Sequence, residues 1–228
     1  MADRPVRGPE LNAGRPRIPG RSRFRPAELR LVDQLTTPRR VQQWLRRLPY
    51  NQERGGPTLR TFRGVVRQQE AHCLEAVLAA ATILEQHGDP PIALDLASRD
   101  GLDHVLFLYR RRGRWGSIAR SRDAGLHGRK PVFRTVRDLV YSYVDPYVDG
   151  SGRIIGYGVY DLDELTRADW RLGEHHVWSV ERALTAAPHA RLRTSDRRYR
   201  RALRRYRAFR ARYPEAPARY YAGRERWL

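Results

Sequence analysis

A chain of 228 residues with 45 Lys and Arg against 25 Asp and Glu carries a formal net charge of +20. Its length suits one domain with extensions, or at most two small domains. A single cysteine excludes an internal disulfide, and the charged, proline-rich start gives no sign of a signal peptide. The longest apolar block, residues 76–84, is too short to span a bilayer, so we expect a soluble, cytoplasmic protein without a transmembrane segment.

The positive charge is concentrated at the two ends. Residues 1–30 contain eight Arg and three acids, and residues 189–228 contain fourteen Arg and three acids, which leaves only +4 for the middle of the chain. Lys130 is the only lysine. Arginine therefore fills almost every basic position, a bias that genome composition produces as readily as function does.

The first two predicted regions differ in composition. Residues 1–26 repeat Arg, Pro and Gly with almost no periodic apolar residues, which predicts a disordered basic tail. Residues 27–48 have apolar residues at helical spacing, and Thr37-Pro38 opens the second of two helices. Residues 51–57 form a loop.

The most apolar helical segment follows, within residues 68–84, and holds Cys73 near its start. Gly88 marks its end. Glu75 and Thr82 are its only clearly polar residues after the cysteine, which predicts a buried helix with a narrow exposed stripe. A thiol in the first turn is close to the positive end of the helix dipole, which favours the thiolate. Cys73 is therefore either a nucleophile or a small buried hydrophobe.

The pattern then changes to strands. The predicted elements are a strand at residues 92–97, a hairpin at 104–109 and 114–119, a helix at 131–147 and a strand at 154–160. This order predicts an α+β domain over residues 27–188, with an antiparallel sheet packed on the cysteine helix.

The C-terminal extension, residues 189–228, contains a predicted amphipathic helix from Ser195 to Tyr213. An aromatic and apolar stripe follows one face, and arginines fill the rest. Such a helix could contact nucleic acid non-specifically, lie on an anionic membrane, or dock on the core with its arginines solvated. The candidates for polyanion contacts are Arg197, Arg201, Arg204, Arg205 and Arg212.

The succession of these residues resembles a known family. The matching residues are Cys73, Gly88-Asp89-Pro90-Pro91, Asp103-His104-Val105-Leu106, Gly113-Arg114-Trp115-Gly116-Ser117-Ile118, and residues 131–139 with Tyr141-Ser142-Tyr143. Over about residues 60–165 they resemble the transglutaminase-like, papain-like superfamily, in the manner of its small uncharacterised bacterial branches. The resemblance implies a papain-like fold and cysteine-dependent acyl transfer. The reaction would be hydrolysis of a peptide or amide substrate, or transamidation to an amine.

The resemblance also implies roles for individual residues. Cys73 would be the nucleophile, and His104 the base that takes the thiol proton and returns it to the leaving group. The backbone N–H of Cys73 would meet the oxyanion, and Gln68 or Gln69 would add a side-chain donor.

The third catalytic residue departs from the family, which usually has an Asp on the strand after the His strand. If the hairpin turn centres on Arg111-Arg112, Ala119 lies opposite His104, and if it centres on Arg112-Gly113, Ser121 does. Neither is an acid. Asp123 is the first choice for the group that orients the imidazole, and Ser121 is the second.

The remaining histidines predict no metal or other cofactor. His72 is expected to be a surface or capping residue, and His127, His175 and His176 have no Cys or acid at ligand spacing. The arginine-rich ends support a second class of function, which competes with the enzyme. A catalytically inactive module of the same fold would bind nucleic acid or an acidic partner through its arginine-rich ends.

Overall fold

A six-stranded antiparallel sheet runs through the part of the chain that the computed structural model describes, residues 18–215. Its strands are β1 (Ile92–Ser98), β2 (His104–Arg111), β3 (Arg114–Ile118), β4 (Arg129–Phe133), β5 (Ile154–Asp161) and β6 (Ala190–Arg191). They lie in the order β4-β3-β2-β1-β5-β6, and each neighbouring pair is antiparallel. The predicted α+β class is confirmed at this level.

Helices cover both faces of the sheet. Those of the described residues are α1 (Pro26–Gln34), α2 (Pro38–Arg47), α3 (Phe62–Gln68), α4 (Cys73–Glu85), α5 (Val136–Val144), α6 (Leu162–Leu165), α7 (Trp178–Ala186) and α8 (Asp196–Arg212). No helix in this part of the chain is both long enough and apolar enough to cross a membrane.

The central strand β2 is buried on both faces. Val105 and Phe107 pack into one core with α4 and residues of α1, α2 and α3, whereas Leu106 and Leu108 pack into a second core with α5. Successive side chains of a strand point to opposite faces, so a strand between two helical layers needs apolar residues at every position. This explains the continuous apolar run of β2.

Helix α4 is buried along its length. Glu75 and Thr82 are both fully buried, so the predicted exposed stripe is wrong. The Thr82 hydroxyl donates to the Leu78 carbonyl at 2.8 Å, which satisfies it inside the helix. Gly88, with φ +88°, follows the helix as predicted.

Most predicted elements form close to their expected positions, including the first helical pair, the hairpin, β5 and α8. The helix predicted at residues 131–147 is partly wrong. Residues 129–133 form β4, which pairs with β3, and α5 begins only after its N-cap Thr135. The open edge of β3 offers hydrogen bonds that override the helical spacing.

The folded domain begins earlier than predicted. Residues 1–17 of the predicted tail lie outside the described residues, but residues 18–26 are part of the domain. Phe24 is 6% exposed and packs edge-on against Phe62, with ring centroids 6.3 Å apart. The Gln86 side chain also donates to the Pro19 carbonyl at 3.0 Å. The prediction of disorder up to residue 26 is corrected here, because the buried Phe24 ring and the hydrogen bond to Pro19 anchor this stretch to the domain.

The C-terminal boundary also moves. Strand β6 pairs with β5, so the domain continues past residue 188. Helix α8 docks on it through ion pairs from Arg153 to Asp196 at 2.7 Å and from Arg198 to Asp145 at 2.6 Å. Residues 216–228 of the predicted extension lie outside the described part of the chain.

A buried arginine ties the end of α4 to α6. The Arg171 guanidinium donates to both carboxylate oxygens of Glu85, at 2.7 and 2.8 Å, and to Asp163 at 2.8 Å. It also stacks 3.8 Å from the ring centroid of Trp170. Burial raises the pKa of Glu85 to about 7, although Arg171 acts to lower it. The ionised carboxylate therefore depends on this guanidinium.

Arg171→Ala should lower the free energy of unfolding by about 3–5 kcal/mol at pH 8, because two buried carboxylates lose their partner. Urea denaturation measures this. The loss should shrink at pH 5, where Glu85 is protonated in the folded protein. Arg23→Ala breaks the exposed pair with Asp169 and should cost less than about 1 kcal/mol. Equal losses for the two variants would contradict this interpretation.

Candidate active site

The start of α4 is held by the buried carboxylate of Glu75. It accepts hydrogen bonds from the main-chain N–H groups of His72 and Arg60 and from the side chains of Asn51 and Thr58, at 2.9 to 3.1 Å. The bond to His72 completes a capping box. Burial raises the pKa of Glu75, but the charge of His72 and these hydrogen bonds bring it below its usual value. The anion therefore fixes where the helix begins.

A second contact holds Tyr50 beside this helix start. The Asn51 N–H donates to the Ala71 carbonyl at 3.2 Å, and the Ala71 N–H donates to the Pro49 carbonyl at 3.3 Å. These bonds form an isolated parallel bridge between Tyr50 and Ala71, two residues before Cys73. Tyr50 and Cys73 line the same cavity.

Cys73 and His104 meet at the rim of the sheet. Both line a cavity of about 540 Å³. The His104 ring lies edge-on to Tyr143 of α5, with centroids 6.3 Å apart, whereas α4 packs on the opposite face of the sheet. The two groups reach each other because Cys73 is the first residue of α4 and His104 is the first residue of β2.

The environment of Cys73 favours the thiolate. Burial raises the pKa of the thiol, but hydrogen bonds with His104 and with His72, followed by the charges of both rings, lower it to about 5. The first turn of α4 adds the positive end of the helix dipole. Cys73 is therefore largely ionised at neutral pH.

A main-chain carbonyl orients the His104 ring. Nε2 of His104 donates to the Leu126 carbonyl at 2.9 Å, which leaves Nδ1 for the sulfur of Cys73. The role predicted for Asp123 thus falls to Leu126. Asp123 lies in the same cavity wall, and its Oδ1 accepts from the Gly125 N–H at 2.8 Å. It caps the short 3₁₀ turn that presents the Leu126 carbonyl.

The register of the β2–β3 hairpin accounts for Ser121, the second candidate for the group that orients the imidazole. Arg111 pairs with Arg114, so the turn centres on Arg112-Gly113 and the register, extended past the last paired residue, leads from His104 to Ser121. Ser121 lines the cavity, but its hydroxyl accepts from the Asp123 N–H at 3.2 Å. Ser121 therefore supports the loop rather than the imidazole.

Two side chains fix the loop that carries Leu126. The Gln42 amide accepts from the N–H groups of Ala119 and Gly128, at 2.9 and 3.1 Å, and donates to the Ala119 carbonyl. A Cβ at Gly128 would lie 2.3 Å from the main-chain carbonyl oxygen of Ser117, so only glycine fits. The buried Arg129 donates to the carbonyls of Gly125 and His127, at 2.7 and 2.5 Å.

His72 caps α4, as predicted, and also reaches the thiol, which the sequence did not indicate. Its Nδ1 accepts from the Leu74 N–H at 3.2 Å and its Nε2 donates to the Thr58 carbonyl at 2.9 Å, the pattern of a neutral ring. Burial lowers the pKa of His72, but bonding to Cys73 and the charges of Cys73 and Glu75 raise it to about 9. The raised pKa favours the charged ring beside the thiolate, in which Nδ1 carries a proton and no longer accepts from the Leu74 N–H.

The predicted glutamine oxyanion donors are corrected. Gln69 ends α3 with φ 54°, and its amide donates to the Val66 carbonyl at 2.6 Å. Gln68 lines a separate hollow beside Glu174. Neither lines the Cys73 cavity.

The phenol of Tyr50 does line this cavity. Burial, followed by the charge of Cys73, raises the pKa of the Tyr50 phenol, which therefore keeps its proton.

The basic helix α8 forms part of the cavity wall through Tyr206 and Arg210. The five arginines predicted to contact polyanions are all exposed, and none forms an ion pair with a described residue. Within residues 18–215, no group of three His, Cys, Asp or Glu side chains could hold a metal ion.

As the pH is lowered, the rate at which Cys73 reacts with iodoacetamide should fall, with a midpoint near pH 5 where the thiolate is protonated. His104→Ala should move the midpoint up toward about 8.5, the value of a free thiol. His72→Asn keeps an N-cap residue and should give a smaller upward shift. Mass spectrometry against pH measures both.

The matched control is His175→Ala, which removes an exposed histidine outside the cavity and should leave the midpoint unchanged. A wild-type midpoint near 8.5, or labelling only after denaturation, would show a structural thiol instead.

No model of a known protein family matches the sequence, and no curated protein matches it. The cleft itself brings a cysteine that favours the thiolate and a histidine oriented by a main-chain carbonyl into one cavity.

Proposed function

We propose that this protein is a cysteine-dependent acyl-transfer enzyme of the transglutaminase-like, papain-like type. It would hydrolyse a peptide or amide, or transfer the acyl group to an amine. One observation carries the proposal: Cys73, hydrogen-bonded to His104, lies at the start of a buried helix and faces a cavity of about 540 Å³. A cysteine that only filled the core would need neither the histidine nor the cavity.

The fold supports the same proposal. A cysteine-bearing helix packed on an antiparallel sheet, with the histidine opening the strand that follows β1, is the arrangement that the resemblance implies. Helix α4 is held at its first turn by the Glu75 network, so the nucleophile sits on a rigid element.

The residues suggest the following reaction. The Cys73 thiolate attacks the substrate carbonyl carbon, and the oxyanion accepts hydrogen bonds from the Cys73 N–H and the Tyr50 hydroxyl. The protonated His104 gives its proton to the leaving amine as the C–N bond breaks, which leaves a thioester on Cys73. Water or an amine then attacks the thioester, with His104 as the base.

The Leu126 carbonyl sets a limit on this chemistry. It fixes the ring and its tautomer, as a carboxylate would, but it lacks a full negative charge to stabilise the imidazolium. His72 and the positive end of the helix dipole stabilise the other ion of the pair, the Cys73 thiolate. We therefore expect an enzyme whose nucleophile is well activated and whose His104 imidazolium is less stabilised than one paired with a carboxylate.

With p-nitrophenyl acetate as a generic acyl donor, Cys73 should become acetylated and turn over. His104→Ala should slow turnover by at least about 100-fold, because the base that activates water for hydrolysis of the thioester is lost. Stopped-flow absorbance gives the rate, and mass spectrometry of the single cysteine gives the adduct. His175→Ala should match the wild type. Turnover that survives in Cys73→Ala would refute the proposal.

A second function is favoured by the exposed arginines of α8. Arg197, Arg201, Arg204 and Arg205 are solvent-exposed and lack ion pairs with described residues, so they are free to neutralise phosphates. Non-specific binding of nucleic acid through this helix is compatible with an active or an inactive cleft.

Changing these four arginines to Gln should weaken DNA binding and flatten its salt dependence. Each lost phosphate contact reduces the slope of log affinity against log salt by about 0.9. Fluorescence anisotropy at several salt concentrations measures the slope. The matched control changes four arginines around the β2–β3 turn and β4, Arg110, Arg112, Arg114 and Arg134, and should keep the slope. If the two sets of substitutions lower the salt slope equally, α8 is not a distinct binding site, and DNA binding depends on positive charge spread over the whole surface.

A further inference from the structure

The cleft around Cys73 is acidic, although the whole chain carries +20. Five carboxylates line it, against two guanidinium groups. These seven residues are Glu53, Asp100, Asp103, Asp123 and Asp149, with Arg122 and Arg210. The local charge is therefore opposite to that of the protein.

Two of these carboxylates, Asp100 and Asp103, lie in the turn before His104, and their hydrogen-bond partners are neutral. Asp100 accepts from the hydroxyls of Ser98 and Ser151, at 2.6 and 2.9 Å. Asp103 accepts from the Ser98 N–H at 2.7 Å. Neutral donors orient a carboxylate but leave its negative charge in place. No arginine of residues 18–215 lies within ion-pair distance of Asp100, Asp103 or Asp149.

Many acids elsewhere in the described chain form ion pairs with arginine. Those within 4.0 Å of an arginine include Glu28, Asp33, Glu70, Glu85, Asp89, Asp145, Asp163, Asp169, Glu174 and Asp196. Asp100, Asp103 and Asp149, beside the nucleophile, have no such partner among the described residues, so their negative charge remains available to a ligand in the cleft.

Two of the cleft carboxylates repel each other. Burial raises the pKa of Asp149, and the charge of Asp100 raises it further, whereas Arg122 lowers it. Burial also raises the pKa of Asp100, but the Ser98 and Ser151 hydroxyls bring it below its usual value, so it stays ionised. A cation bound near both would relieve this repulsion.

The same wall has an apolar part. Leu102 is 63% exposed, and its carbonyl accepts a hydrogen bond from the Tyr147 hydroxyl, which fixes the turn against the end of α5. Pro146, Tyr147 and Tyr206 also line the cavity. Lysine and arginine side chains combine an aliphatic stem with a charged head, which matches an apolar wall next to carboxylates.

We infer that the cleft selects an acyl substrate with a cationic side chain, a peptide that carries Lys or Arg next to the reacting carbonyl. The inference rests on the proposed acyl transfer at Cys73 and adds the substrate class. The positive head group lies against Asp100, Asp103 and Asp149, and the aliphatic stem lies along Leu102.

A pair of thiol reagents of opposite charge tests the field at Cys73 directly. Both are methanethiosulfonates, one with a trimethylammonium group and one with a sulfonate. The thiolate attacks the sulfenyl sulfur, a mixed disulfide forms, and methanesulfinate leaves with the electron pair of the broken S–S bond. Because the chain has one cysteine, every label is on Cys73.

Relative to a free small thiol, the cationic reagent should react about tenfold faster than the anionic one at low salt, and the preference should fade near 1 M salt. The net charge of the protein acts in the opposite direction, so this result requires local carboxylates. Asp149→Asn keeps the size of the side chain but removes its charge, and it should reduce the preference. Glu164→Gln on α6 removes an exposed carboxylate outside the cavity and should not.

The substrate itself is tested with the ethyl thioesters of Nα-acetyl-arginine and Nα-acetyl-citrulline, which differ mainly in charge. The arginine thioester should show the higher kcat/KM, chiefly through a lower KM, and Asp149→Asn should narrow the gap. If Cys73 is no more reactive than a free thiol toward either reagent, the proposed function and this inference both fail. A reactive Cys73 that prefers the anionic reagent, or equal use of the two thioesters, overturns the inference alone.

Discussion

The buried carboxylate of Glu75 is the interaction on which the site depends. It accepts four hydrogen bonds, three from the loop between α2 and α3 and one from the N-cap residue of α4. A fully buried anion is tolerated only when its lone pairs are satisfied, so the loop and the helix start must keep one arrangement. That arrangement brings Tyr50, His72 and Cys73 together. A single buried acid thus positions the nucleophile, its neighbouring imidazole and the phenol on the cavity wall.

The second half of the site is built from main chain. His104 is oriented by the Leu126 carbonyl, and that carbonyl is held by a turn that Asp123 caps, by Gln42 and by Arg129. Asp123, the residue that the sequence favours for orienting the imidazole, therefore acts on the ring only through the turn that it caps. The cost is a weaker partner for the imidazolium, and the benefit is a ring whose position depends on a rigid loop rather than on one rotatable carboxylate.

Charge is separated across the molecule. Exposed arginines cover α8, whereas the cleft that α8 helps to enclose keeps carboxylates without arginine partners among the described residues. Since Tyr206 and Arg210 belong to both the basic helix and the cleft wall, a polyanion on α8 and a substrate in the cleft would act on neighbouring parts of the same element. The two proposed activities are therefore separable by mutation but close in space.

Local patterns in the sequence determined the helical pair, the cysteine helix with its stop at Gly88, the hairpin and α8, because caps, turns and periodicity are properties of adjacent residues. They also indicated Cys73 and His104. Tertiary structure alone decided β4, since an open strand edge captured residues that could have been helical. It also decided that Glu75 is buried, that Leu126 orients the imidazole and that Gln68 and Gln69 face away. A carbonyl oxygen carries no signature in its residue type, and the position of a loop is set by partners such as Gln42, 77 residues before Ala119 in the chain. No spacing rule in a single sequence reports such contacts.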